Sequence, residues 1–220
     1  MTAAGEAVRP VLDAADPKVW VFLGDSVTAA QWHTWGGRGY AELFEERLRE
    51  LGRSRDAVIN TAVSGWQVTD LEPQVEALCT RFRPDVVSIA FGLNDTRGGA
   101  DGVAEFGRVY RDVVRRIQAE TAAAVIIATP NGTLPTAPEH VVTHLPAYVD
   151  EVRAVAADCG MPLVDHYDEW QRTNEAAWFH WLGHGCHPNA YGHRAMARTL
   201  MRELDVWDPN SRSGSLMIPA

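Results

Sequence analysis

The sequence has 220 residues, 46% hydrophobic and 22% charged, an ordinary globular composition that excludes disordered, collagen-like and coiled-coil chains. A chain of this length closes one sizeable core, so a single domain over residues 17–207 is expected. The formal net charge of −9 repels phosphate backbones and anionic lipid headgroups, which sets aside nucleic acid and membrane as partners.

Met1 to Lys18 lacks the basic and then apolar pattern of a secretory leader, and no apolar run approaches bilayer-spanning length. Cys79, Cys159 and Cys186 form an odd, irregularly spaced set with no CxxC pair, which suits a reducing compartment. A cytoplasmic location is the expectation. Residues 1–16 and 208–220 carry no periodic pattern and are expected to be loose termini.

Trp20-Val21-Phe22-Leu23 is a short apolar run ending on Gly-Asp-Ser, which predicts a buried strand entering a tight turn. Tyr40 to Leu51 follows as a helix with Leu43, Phe44, Leu48 and Leu51 on one face and Gly52 to stop it. Ala57 to Asn60 predicts a second strand, and the spacing of Leu71, Val75, Leu78 and Phe82 predicts a helix over 68–82. Asp85 to Ala90 is β-branched and bounded by Pro84 and Gly92, as expected of a central strand covered on both faces. Then come a helix over 103–119, a strand over 123–128, a helix over 145–157, a strand over 162–164 and a final helix after Asn189. Strands alternating with helices imply parallel pairing through right-handed crossovers, hence an α/β fold: a three-layer α/β/α sandwich around a five-stranded parallel sheet. Sites in such sheets form beyond the C-terminal strand ends.

Three polar clusters stand just beyond predicted strands: Gly24-Asp25-Ser26, Ser64-Gly65-Trp66 and Gly92-Leu93-Asn94-Asp95. Far along the chain, His184-Gly185-Cys186-His187-Pro188-Asn189 precedes the last helix. The topology brings a hydroxyl nucleophile, two oxyanion donors and a base to one sheet edge. Alone, each element is weak, since Ser26 also reads as a helix cap, Asn94 as a turn residue and His187 as a loop histidine. The nucleophile elbow G-x-S-x-G does not occur.

In order and position, these four blocks resemble the SGNH hydrolase (GDSL-type esterase and lipase) family: Gly-Asp-Ser, a lone Gly, Gly-x-Asn-Asp and a late His-Pro. The resemblance implies the flavodoxin-like SGNH fold and ester hydrolysis without a cofactor. It implies that Ser26 attacks the acyl carbon and His187 takes its proton, while the Ser26 N–H, the Gly65 N–H and the Asn94 amide hold the oxyanion. Such a donor is typically worth roughly 3 kcal/mol of barrier.

The sequence departs from the family where an Asp usually stands three residues before the catalytic His. His184 stands there instead, with no negative charge to stabilise an imidazolium. Asp165, Asp168 and Glu169 follow the fifth strand and are the carboxylates to examine as substitutes, although strand-end capping and solvation are the plainer roles for each. His180, His184, His187 and His193 invite comparison with a zinc site, but their spacing is unspecific and no metal site is expected. Cys186 reads as a small buried filler.

Trp32, Trp35, Trp66 and Trp181 are expected at the pocket rim, with Arg38 and Arg97 flanking it. They read either as flat apolar surface for a sugar ring or acyl chain, or as ordinary packing over the sheet edge. Gly36-Gly37 and Gly98-Gly99 suggest mobile loops at the mouth. A small-molecule ester with a short acyl group is the expected substrate. Acyl transfer, thioester hydrolysis and a binding protein without turnover are the alternatives on the same scaffold.

Overall fold

The computed structural model describes residues 1–216 and residue 218. Five strands, β1 (Val19–Gly24), β2 (Ala57–Asn60), β3 (Val86–Ala90), β4 (Ala124–Ala128) and β5 (Leu163–Val164), form one sheet in the order β2-β1-β3-β4-β5. Every neighbouring pair in it is parallel. This is the doubly wound, flavodoxin-like order, and its switch point falls between β1 and β3.

The alternation along β1 explains the layering. Trp20 and Phe22 enter one buried cluster with Phe44, Leu48, Met196 and Leu200, while Val21 and Leu23 enter another with Leu71, Val109, Val113 and Ile117. Successive strand side chains point to opposite faces, so a strand apolar at every position has both faces covered. Each of the five β3 residues is accordingly buried.

The first residues are ordered. They form α1 (Ala3–Leu12), capped by the Thr2 hydroxyl, which accepts from the Gly5 N–H. Ala4 and Val8 lie within the core cluster that also holds Trp20. The expectation of a loose N-terminus is therefore corrected: two buried residues four apart are enough to dock a short amphipathic helix. At the other end, Ser213 is buried and donates from its N–H and hydroxyl to the Glu50 carboxylate, and Leu216 and Ile218 pack against the same cluster. That terminus is also anchored as far as it is described; Met217, Pro219 and Ala220 lie outside the described residues.

Ser26–Ala29 form the one-turn α2, and α3 runs over Tyr40–Glu50. The single helix expected over 68–82 is broken into α4 (Val68–Leu71), a 3₁₀ turn at Glu72–Gln74, α5 (Val75–Leu78) and a second 3₁₀ turn at Thr80–Phe82. Pro73 has no N–H to continue the ladder, and its ring crowds the preceding turn. Val68, Leu71 and Val75 still face the core, which is why the apolar period survives the break.

Helix α6 spans Val103–Glu120, and α7 spans Glu139–Cys159, starting six residues earlier than the spacing predicts because it continues through Pro146. Short helices α8 (His166–Arg172) and α9 (Glu175–Trp181) lead into an antiparallel hairpin of β6 (Leu182–His184) and β7 (His187–Pro188). Helix α10 (Ala190–Glu203) closes the chain's regular structure and is capped by the Asn189 carbonyl side chain at the Tyr191 and Gly192 N–H groups. No helix among the described residues is long and apolar enough to cross a membrane.

Candidate active site

Ser26 is the first residue of α2, directly after β1, at the switch point of the sheet. A Cβ at Gly24 would stand 2.3 Å from Thr28 Oγ1 and 2.9 Å from the Ala90 carbonyl, so the tight strand-to-helix turn demands glycine there. Asp25 caps the turn by accepting from the Val27 N–H at 2.9 Å. As a first-turn group, the Ser26 N–H has no acceptor within the helix and is free to meet an oxyanion. The side chain is 6% exposed, and its Oγ lies 2.7 Å from His187 Nε2.

His187 reaches Ser26 from 161 residues away through the β6–β7 hairpin. The hairpin tip is pinned from the loop after β4: Leu134 N–H donates to the Gly185 carbonyl at 2.7 Å, and Asn131 Nδ2 to the Cys186 carbonyl at 3.1 Å. Gly185 packs so close to Ala137 that a Cβ would lie 2.5 Å from its backbone.

Asp95 ties the other two segments together. Its carboxylate accepts from the Gly92 N–H at 2.9 Å and the Val68 N–H at 2.8 Å, joining the end of β3 to the segment carrying Gly65. Asn94 opens a 3₁₀ turn at Asn94–Gly98, and its Nδ2 donates to the Trp66 carbonyl at 3.1 Å and toward Asp25 at 3.4 Å. Arg97, which sequence reasoning placed only at the flank, bridges both: it donates to the Gly65 carbonyl at 3.1 Å and to Asn94 Oδ1 at 3.0 Å. Gly65 has φ 85° and open space where a Cβ would be, so its left-handed backbone, rather than crowding, requires glycine.

Burial governs the electrostatics of the site. Asp25 is pushed up to about 7 by desolvation, and Asp95 to about 6 for the same reason. His187 is held down at about 3 by burial and by the neighbouring His33 and His184 rings. It is therefore a neutral imidazole with a lone pair for the serine proton.

No carboxylate among the described residues occupies the place opposite Nδ1 of His187; Cys186 Sγ stands 3.4 Å from it. Burial, with Asp25 adding to it, pushes that thiol up to about 11, so the contact is neutral. The three carboxylates expected as substitutes are engaged elsewhere. Asp165 caps α8 and pairs with Arg153, Asp168 pairs with Arg172, and Glu169 with Arg198 and Arg202. Strand-end capping and solvated pairing, the plainer reading, is what they do.

His33 is the residue the sequence did not disclose. It lies on the segment between α2 and α3, and its ring stacks on His187 with centroids 3.7 Å apart and on His184 edge-on at 4.9 Å. A lone His between Trp32 and Thr34 carries no motif, so only the tertiary contact reveals it. The other histidines of the late segment do not join: His193 is buried and accepts from the Tyr40 N–H through Nδ1, and His180 is exposed.

The tryptophans separate into three situations. Trp32 and Trp35 are 76% and 90% exposed on the His33 segment, and Trp66 is half-buried against the second core cluster. Trp181 is 1% exposed and meets Trp170 edge-on at 5.1 Å, so its expected place at the rim is corrected: α9 turns it into the core. Arg38 is paired with Glu46.

Solved structures of the same fold include a putative GDSL-like lipase from Parabacteroides merdae, 20% identical with a TM-score of 0.73, covering 89% of this chain and 99% of that one. Another is an acetylxylan esterase from Geobacillus stearothermophilus, 24% identical, TM-score 0.68, covering 85% of this chain and 94% of that one. An uncharacterized protein of Mycoplasma pneumoniae is 38% identical over 92 residues, which cover 38% of this chain but only 10% of that protein's length. Residues 22–195, which contain Ser26, Gly65, Asn94 and His187, match the GDSL-like Lipase/Acylhydrolase family. The chain belongs to that family of lipases and acylhydrolases.

Proposed function

We propose that the chain hydrolyses a short-chain carboxylic ester, an acetyl group on a sugar or small metabolite, through an acyl-enzyme at Ser26. The observation that carries this reading is the 2.7 Å contact between Ser26 Oγ and His187 Nε2. In the reaction, Oγ bonds to the acyl carbon as Nε2 takes its proton, and the collapsing tetrahedral intermediate expels the alcohol, which receives that proton. Water, deprotonated by the same nitrogen, then releases the acid and restores Ser26. The oxyanion is held by the Ser26 N–H, the Gly65 N–H and the second Asn94 amide hydrogen, which exchanges its long 3.4 Å contact with Asp25 for the oxyanion.

The acetyl-sugar preference is supported by the fold shared with an acetylxylan esterase and by Trp32 and Trp35, exposed on the segment that carries His33 to the base. Flat aromatic faces stack on sugar rings. The neutral contact at His187 Nδ1 favours a second reading, a binding protein of this family with turnover lost. Intact-mass spectrometry after fluorophosphonate treatment separates the two. One adduct, absent from Ser26→Ala, supports the esterase; a folded protein with no adduct supports the binding protein. Hydrolysis rates that fall from acetyl to octanoyl esters, with turnover of acetylated xylooligosaccharides, support the substrate class, and a preference for octanoyl overturns it.

A further inference from the structure

His33, His184 and His187 present one ring nitrogen each, all within 4.8 Å of one another. Their origin makes the cluster a built feature. His184 and His187 are register partners across the β6–β7 hairpin, where cross-strand side chains stand side by side. His33 enters from the segment between α2 and α3 and meets both rings. Three imidazoles with one open position are the ligand set of a tetrahedral zinc ion, for which nitrogens about 3.3 Å apart suffice given Zn–N distances of about 2.0–2.1 Å. Closing from 4.8 Å needs only side-chain rotation, which the exposed His184 is free to make.

We propose that these three histidines form a site for a divalent ion of the zinc class, and that filling it switches off Ser26. The inference rests on the esterase reading above for its consequence, though not for the site itself. The chemistry of the consequence does not depend on which nitrogen of His187 binds. A neutral imidazole has a single basic lone pair, its other nitrogen carrying the hydrogen. If the ion takes Nε2, no lone pair faces Ser26 Oγ; if it takes Nδ1, the hydrogen moves to Nε2 and the result is the same. Metal coordination and general-base catalysis are mutually exclusive on this ring. The family's usual carboxylate at position 184 is replaced by a residue that adds a ligand, so the substitution that weakens the base is the one that completes the site.

The test uses tag-free, metal-free protein titrated with zinc chloride by calorimetry, with fluorophosphonate labelling followed in parallel on the same samples. The expected result is one zinc per chain, labelling that falls as zinc fills the site and returns on adding EDTA. His33→Gln and His184→Gln, with their melting temperatures as a check on folding, are each expected to weaken binding at least tenfold and to keep, in zinc that silences the wild type, the labelling rate that the same variant shows in metal-free buffer. Absence of stoichiometric binding, binding that neither variant weakens, or labelling undiminished at full occupancy would each overturn the proposal. If metal-free protein takes no label at all, the esterase reading fails. Calorimetry on the variants then still decides whether the histidines bind zinc.

Discussion

Cys186 Sγ lies 3.4 Å from His187 Nδ1, on the side of the ring where a triad would hold a carboxylate. The thiol is buried and neutral, so it gives the ring a packing partner and a weak dipole in place of a counter-charge. In the proposed reaction, the imidazolium formed when His187 accepts the serine proton has no opposite charge beside Nδ1 among the described residues. Loss of the negative charge in a serine protease triad, where Asp was changed to its amide, cost about 10⁴ in rate.

His184→Asp is therefore expected to raise kcat for an acetyl ester. The site is exposed and is the cross-strand partner of His187, with ring centroids 4.6 Å apart, so a carboxylate placed there stands beside the ring. An increase of about tenfold to a thousandfold is expected, a part of the triad effect because the shorter side chain inherits imperfect geometry. Steady-state kinetics of the variant against the wild type in metal-free buffer check it; an unchanged kcat would mean the carboxylate does not reach the ring.

In the proposed reaction Arg97 is a positioning residue, since it holds Gly65 and Asn94, the proposed oxyanion donors. Its two bonds, to the Gly65 carbonyl and to Asn94 Oδ1, orient the Gly65 peptide and the Asn94 amide together. Arg97→Met is expected to lower kcat about tenfold to a hundredfold with KM little changed, somewhat less than deleting a donor outright. Arg97→Lys is expected to rescue little, because a single ammonium lacks the planar fork that spans two acceptors. A loss expressed in KM alone would place Arg97 in substrate binding instead.

His166 offers a stability test away from the reaction. Its ring is buried against Tyr40 with neither nitrogen hydrogen-bonded among the described residues, and burial holds it at about 4, below its ordinary 6.5. Above pH 6.5 the ring is neutral in both folded and unfolded chains. As pH falls toward 4 the unfolded chain takes a proton that the folded one refuses, so stability is progressively lost, by about 3 kcal/mol in total. His166→Phe removes this loss and two unpaired polar atoms, and is expected to stabilise by about 1–2 kcal/mol at pH 7 and more at pH 4. Asp25 and Asp95, raised when folded, tilt the curve of each protein the other way and cancel in the difference. Urea unfolding of both proteins at pH 7 and pH 4.5 checks it; a gap that does not widen at acid pH would mean His166 is solvated.

Much of this molecule was legible because its signals are local. A strand apolar at every position, such as β3, needs cover on both faces whatever surrounds it, and alternation of strands with amphipathic helices implies the parallel sheet. Ser26, Gly65 and Asn94 became candidates through short motifs just beyond predicted strands, and His187 through the late His-Pro segment before the last helix. The break at Pro73 was legible in principle, but the apolar period runs through it and masked it.

What the tertiary structure decided are the facts that depend on residues far apart in sequence. That Trp181 is core follows from how α9 packs it on Trp170, while Trp32 and Trp35 stand exposed on the His33 segment, and no spacing reports either. Only the folded chain stacks His33 on His187, 154 positions later, and only there do Asp165, Asp168 and Glu169 prove to be committed to other partners. The sequence by itself determined the sheet and marked Ser26 and His187 as the proposed nucleophile and base. The surroundings of that base, which set its charge and its competing ligands, arise where three distant segments meet, because a side chain's neighbours are chosen by packing rather than by chain order.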